Sequence, residues 1–122
     1  MTVKILTVDD SASIRLTTNV ALSGAGYSVT EAVNGADGLE KARAGHYDLI
    51  VTDLNMPVLD GLTMIEELRR TPGQTGVPII FLTTESDAAL KTRAKEAGAT
   101  GWLTKPFDPE NLVKIVRKVL GR

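Results

Sequence analysis

Four short groups of residues in this 122-residue chain could do chemistry together: Asp9-Asp10, Asp53, Thr83 and Thr104-Lys105-Pro106. Three carboxylates brought within a few ångströms of one another repel, and they need a proton, a nearby ammonium group or a divalent cation between them. The donors are hard oxygens with no thiolate or imidazole among them, which selects Mg²⁺ or a similar ion over zinc or copper. Mg²⁺ takes few protein ligands and keeps waters, a habit suited to bridging a carboxylate and a phosphoryl group. A lysine and a threonine hydroxyl are the partners that phosphoryl oxygens call for. The set reads as a carboxylate that attacks a phosphoryl donor while Mg²⁺ and Lys105 neutralise the developing charge. Asp53 is the expected nucleophile because it stands alone at the end of a central strand, and Asp9 and Asp10 form the expected metal-holding pair. Singly, each residue is ordinary. An Asp after a strand commonly closes a turn or caps a helix, and Ser11 is the expected cap of the helix after Asp9-Asp10. Only their joint placement carries the reading.

That placement rests on five alternations of strand and helix. Val3–Val8 is a short apolar run that predicts a buried strand, and Ser11–Ala25 carries Ile14, Thr18, Ala21, Leu22 and Ala25 at helical spacing before Gly26 stops it. Tyr27–Ala32 predicts a second, more polar strand, and Gly35–Ala44 a helix thin in large apolar residues, closed by Gly45. Asp48–Thr52 is apolar on both faces and predicts the central strand. Asp60 can cap a helix over Gly61–Arg70 with Leu62, Ile65 and Leu68 inward. Val77–Leu82 predicts the fourth strand, with Pro78 at its start where a missing N–H is tolerated. Ser86–Ala97 has only Leu90 and alanines to bury, so this helix is expected to be loosely held. Thr100–Leu103 predicts a short fifth strand. Asp108-Pro109-Glu110 then opens a last helix, which sets Leu112, Ile115, Val116, Val119 and Leu120 on one face.

Strict alternation of this kind predicts an α/β fold: a doubly wound, five-stranded parallel sheet with helices on both faces. In such sheets ligands bind beyond the carboxyl ends of the strands, near the point where the strand order reverses. The first, third, fourth and fifth strands run into Asp9-Asp10, Asp53, Thr83 and Lys105, whereas the second contributes nothing comparable, as expected of an edge strand.

Composition removes several other classes. Fourteen basic against fifteen acidic residues give a net charge of −1, which argues against a polybasic surface for nucleic acid or membrane. The chain has no cysteine, hence no disulfide framework and no thiolate metal site. Its one histidine, His46, lies between Gly45 and Tyr47 and reads as a solvated loop residue. No apolar run approaches the ~18 residues of a membrane span, and a cytoplasmic, reducing compartment is the natural expectation. A flavin carrier of the same topology would have its phosphate repelled by Asp9-Asp10. An aspartate-nucleophile phosphatase, the alternative from a different class, would place its nucleophile after the first strand with a second acid two residues on; here the two acids are adjacent.

With these residues in view, the sequence resembles the receiver domain of two-component response regulators, most closely the stand-alone, CheY-like chemotaxis type. The resemblance runs through Asp9-Asp10, Asp53-Leu54-Asn55-Met56-Pro57-Val58-Leu59-Asp60-Gly61, Thr83 and Lys105-Pro106-Phe107, and covers the whole chain. It implies the flavodoxin-like strand order 2-1-3-4-5 and a single receiver domain over residues 1–122 with no effector domain. It implies that Asp53 is the phosphoacceptor, that Asp10, Asp53 and the backbone carbonyl of Asn55 hold Mg²⁺, and that Asp9 orients the waters of the metal. Thr83 and Lys105 would grip the phosphoryl group, and the Lys105–Pro106 bond would be cis. Trp102 stands at the switch position, where the family usually has Tyr or Phe; it would fill the space that Thr83 leaves, or stay outward as a contact residue. Asn55 and Glu85 occupy the positions that tune hydrolysis. The implied partners are a sensor histidine kinase as phosphodonor, read mostly by Arg15, Leu16 and Asn19, a flagellar motor switch protein or other protein target, and a phosphatase. The chain itself would be a monomer that catalyses only its own phosphorylation and dephosphorylation. Within the family, a phosphorelay shuttle or phosphate sink is the alternative.

Overall fold

The computed structural model describes residues 2–53, 61–72, 76–83 and 88–121, with the side chains of residues 88–90 left out. Ten elements alternate along the chain: β1 (Lys4–Val8), α1 (Ala12–Gly24), β2 (Ser28–Ala32), α2 (Gly35–Ala44), β3 (Leu49–Asp53), α3 (Gly61–Arg69), β4 (Ile79–Thr83), α4 (Ala88–Glu96), β5 (Gly101–Thr104) and α5 (Pro109–Leu120). All four strand pairings are parallel, and the order is β2-β1-β3-β4-β5, as the resemblance implies. β3 and β4 are buried along their whole length, the signature of strands covered on both faces.

Successive side chains of a strand point to opposite faces, and the two cores follow from that period of two. Leu6, Val8, Ile50, Ile79 and Phe81 face α2, α3 and α4 and pack with Met64, Ile65 and Leu68. Their immediate neighbours Ile5, Leu49, Val51, Ile80 and Leu82 face α1 and α5 and pack with Leu22, Leu112 and Val116.

Helix ends are set by local chemistry. Ser11 caps α1 and Asp108 caps α5, with Pro109 in the first turn and Gly121 in the left-handed region (φ 72°) at the end. α2 has little apolar surface and is held by polar groups at its start. The Asn34 side chain accepts from the Asp37 amide at 2.8 Å, and Asp37 in turn accepts from the Val33 amide at 3.0 Å. That backbone hydrogen bond, with help from Lys41, holds the Asp37 carboxyl below its ordinary value.

α4 buries little among its described residues. Among its described side chains only Ala94 is buried, and Leu90 lies outside the described residues. Its C-terminal turn is tied to α3 through Arg69, whose guanidinium donates to the Gly98 carbonyl at 2.8 Å. Burial pushes the Arg69 guanidinium below its ordinary value.

Element boundaries differ from the sequence expectation by one or two residues. Val3 and Asp48 precede their strands; the Asp48 amide donates to the Lys4 carbonyl at 2.8 Å while its carboxylate accepts from the Lys4 amide at 2.8 Å, so it closes the start of the ladder with its side chain. Val77 and Pro78 likewise precede β4, while Asp53 and Thr83 are the last residues of β3 and β4, kept in the ladder by pairing with Leu82 and Thr104. The expected Asp60 cap and the first residues of the expected Ser86–Ala97 helix lie outside the described residues.

Two glycines give opposite predictions. A Cβ on Gly38 would lie 2.8 Å from Met64 Sδ and 2.9 Å from Val8 Cγ2, in the seam between α2, α3 and the sheet. Gly38→Ala should lower stability in urea denaturation by ~1–2 kcal/mol, overpacking outweighing the better helix propensity. Nothing lies within 4 Å of a Cβ on Gly24, so Gly24→Ala should raise stability by roughly 0.4–1 kcal/mol.

Candidate functional site

The strand order reverses between β1 and β3, and the acids sit at the carboxyl ends of those two strands. One carboxylate oxygen from each of Asp9, Asp10 and Asp53 lies within 4.8 Å of the others. Asp9 and Asp53 are buried and Asp10 is exposed, so the cluster has a closed floor and an open mouth. Lys105 answers the charge from the far side: its ammonium lies 2.9 Å from Asp9 Oδ2 and 3.4 Å from Asp53 Oδ2, with only 13% of its side chain exposed. The Lys105–Pro106 peptide is cis, and the Lys105 amide donates to the Thr83 carbonyl at 2.7 Å. Thr83 is fully buried at the end of β4. The expected convergence of β1, β3, β4 and β5 is therefore present.

Asp9 is fixed by four contacts. Its amide donates to the Ala32 carbonyl at 3.2 Å, its Oδ1 accepts from the Ser11 amide at 2.9 Å, its Oδ2 accepts from Lys105, and its carbonyl accepts from Arg15 Nη1 at 2.7 Å. Asp9 is thus occupied by the protein, whereas exposed Asp10 has the freer approach to an incoming ligand. A donor set made only of carboxylate oxygens in an open, acidic pocket fits a hard divalent ion that keeps some of its waters.

The Arg15 contact was not foreseen from the sequence. One signal was available: a cation in the opening turns of a helix opposes the helix dipole unless an anion or carbonyl answers it.

Trp102 lies half-buried on β5, its ring centroid 6.1 Å from that of Phe81 and the planes tilted by 52°. Lys91 of α4 places its ammonium 5.6 Å from the Trp102 ring centroid, a contact the sequence reading also missed. The indole Nε1 is buried with no hydrogen-bond partner among the described residues. In this structure Trp102 packs against the core beneath α3 and α4 and does not stand outward. Asn55 and Glu85 lie outside the described residues. His46 is exposed, at the opposite edge of the sheet.

Comparison with known proteins agrees with this geometry. A family model described as the response regulator receiver domain matches residues 5–117. The chemotaxis protein CheY4 of Vibrio cholerae is 42% identical, with a TM-score of 0.93 over 98% of this chain and 99% of that one. The receiver domain of the sensor histidine kinase PA1611 of Pseudomonas aeruginosa, solved with a magnesium ion in its active-site cleft, is 30% identical with a TM-score of 0.91 over all of both chains. Among curated relatives, the probable transcriptional regulator ycf27 of Porphyridium aerugineum is 42% identical over 98% of this chain and 48% of its own length. ResD of Bacillus subtilis, a transcriptional regulatory protein, is 37% identical over the same shares. The chain thus spans about half the length of the curated relatives it matches.

The charge balance makes its own prediction. Removing the ammonium leaves two buried carboxylates facing each other, so Lys105→Met should lose ~3 kcal/mol or more of stability in the presence of a chelator. Asp10→Asn, which relieves repulsion at an exposed position, should melt higher than the parent under the same conditions. Calorimetry of the three proteins checks both signs; an Asp10→Asn that melts lower would mean that the acids do not repel.

Proposed function

The chain belongs to the response regulator receiver domain family, and on that premise we propose that it is a phosphorylation-dependent signalling switch with Asp53 as phosphoacceptor. The observation that carries the reading is the Asp9–Asp10–Asp53 cluster bridged by Lys105 at four strand ends. In the transfer, a carboxylate oxygen of Asp53 bonds to phosphorus as the P–N bond of a phosphohistidine on a sensor kinase breaks. The electron pair of that bond returns to the imidazole. Hydrolysis then adds water at phosphorus and releases inorganic phosphate and the Asp53 carboxylate. Asp10, Asp53 and the backbone carbonyl of Asn55 would hold Mg²⁺, whose charge offsets that of the transferring group, while Asp9 orients its waters. Lys105 would move from the carboxylates to the phosphoryl oxygens, and the Thr83 hydroxyl would donate to them.

Phosphorylation replaces one negative charge by about two and adds acceptor oxygens. Lys105 and Thr83 already share a backbone hydrogen bond at 2.7 Å, so a pull on either side chain is felt by both strands. We read the face made by α4, β5 and α5 as the output surface, with Trp102 taking up the space that Thr83 leaves. Among its described side chains α4 buries only Ala94, which suits a surface that must change shape. The input surface is α1, where Leu16 and Val20, one turn apart, are 65% and 64% exposed beside Arg15 and Asn19.

The likeness to the Vibrio chemotaxis protein over nearly its whole length supports a flagellar motor switch protein as the target, reached in the cytoplasm. Among the described residues no helix is long and apolar enough to cross a membrane. The protein would act as no enzyme beyond its own phosphorylation and dephosphorylation. Asn55 and Glu85 favour a short-lived acyl phosphate.

Incubation with a small phosphodonor and Mg²⁺ should add one phosphoryl mass to the intact protein, and Asp53→Asn should abolish the gain. Beryllium fluoride, a phosphoryl mimic, should change the fluorescence of Trp102, the single tryptophan, only when Mg²⁺ is present and Asp53 is intact. A phosphorylated form lasting many hours at neutral pH would overturn the proposed rapid turnover. Rapid back-transfer to a histidine domain with no change at Trp102 would favour a shuttle over a switch.

A further inference from the structure

Arg15 sits in α1 with 18% of its side chain exposed and has two anchors. Nη1 donates to the Asp9 carbonyl at 2.7 Å, and Nε lies 3.4 Å from Glu31 Oε1 on β2. The other oxygen of Glu31 accepts from Asn19 Nδ2 at 3.0 Å, and Asn19 Oδ1 accepts from Ser23 Oγ at 2.7 Å. A continuous polar line therefore runs from Ser23 in the last turn of α1, across the end of β2, to the peptide that joins Asp9 to Asp10.

That peptide is the hinge of the acid pair. Its orientation sets the direction in which the exposed Asp10 side chain leaves the backbone, while the Asp9 carboxylate is already held by Ser11 and Lys105. A guanidinium presents its donors in a fixed plane, so one side chain can hold a carbonyl and a carboxylate at a defined angle, which an ammonium cannot do.

We propose that Arg15 is a positioning residue for the divalent-cation site, acting through the Asp9–Asp10 peptide and itself oriented by Glu31. The inference rests on the reading of the acid cluster as a Mg²⁺-dependent phosphoryl acceptor. Its consequence has a sign that separates positioning from charge. Arg15 is a cation near three carboxylates, so by Coulomb's law alone its removal should tighten Mg²⁺ binding. If it positions the pair, removal weakens binding despite the gain in negative potential.

The test is Mg²⁺ titration by calorimetry and phosphoryl uptake from a small donor, followed by intact mass, for the parent protein, Arg15→Gln and Arg15→Lys. Circular dichroism and melting in chelator report folding. Arg15→Gln should bind Mg²⁺ about 10- to 100-fold more weakly, the range seen when a partner of a metal ligand is lost. Its uptake rate should fall at limiting Mg²⁺ and return to within a few-fold of the parent at saturation, a split that general damage to the fold would not give. Arg15→Lys keeps the charge and the aliphatic stem but not the planar bridge, so it too should bind more weakly than the parent. It carries the test alone if Arg15→Gln fails to fold. Equal or tighter binding by either folded variant, or a rate deficit that is the same at every Mg²⁺ concentration, would overturn the role of Arg15. A parent protein that binds no Mg²⁺ and takes up no phosphoryl group would overturn the reading of the site, and this inference with it.

Discussion

Three carboxylates within 4.8 Å of one another are the constraint around which the rest of the molecule is arranged. Their repulsion has to be contained without being removed, since a neutralised cluster would have nothing to offer a cation. Lys105 does this by lying against Asp9 and Asp53 and leaving exposed Asp10 unbridged. A parallel sheet whose strand order reverses between β1 and β3 brings residues 9, 53 and 105 to one point at the carboxyl ends of its strands. The ion pair between Asp9 and Lys105 spans 96 positions of sequence, and every strand but β2 must be in register for the cluster to exist.

The two halves of the molecule are anchored differently. β3 and β4 are buried throughout, and α5 lays a full apolar stripe on the sheet. α4, in contrast, is attached by Ala94, by the Arg69 contact at Gly98 and by the Lys91 ammonium over Trp102. Among the described residues α4 buries one small side chain, so rearranging it gives up less apolar contact than moving a strand buried on both faces. The indole N–H of Trp102 is buried and has no partner among the described residues.

Much of this was legible in the sequence because the sheet is written in local apolarity. Runs such as Ile79–Leu82 and Leu49–Val51 are apolar at consecutive positions, as strands covered on both faces are. Capping chemistry at Ser11 and at Asp108-Pro109 was equally plain. Strand ends were less so: Asp48 and Val77 look like strand residues by composition, but the ladder is set by partners that a local reading does not see. The acids, Thr83 and Lys105 could be assigned to one edge because a parallel sheet gives every strand the same direction. The Arg15 contact escaped because its acceptor is a backbone carbonyl, which every residue carries. The cation above Trp102 escaped because the far end of a lysine is placed by a helix whose own sequence says little.

All the chemistry gathers at one end of strands that are four or five residues long. At ~3.3 Å per residue, the turns at the other end, among them Gly45–His46–Tyr47, are roughly 16 Å away, about twice the distance over which physiological salt screens a charge. The protein is in this sense electrically two-ended, with a working edge and a silent one. A fluorophore, a tag or a surface tether joined at exposed His46 would leave the balance among Asp9, Asp10, Asp53 and Lys105 undisturbed, so the molecule offers a handle on the side where nothing happens.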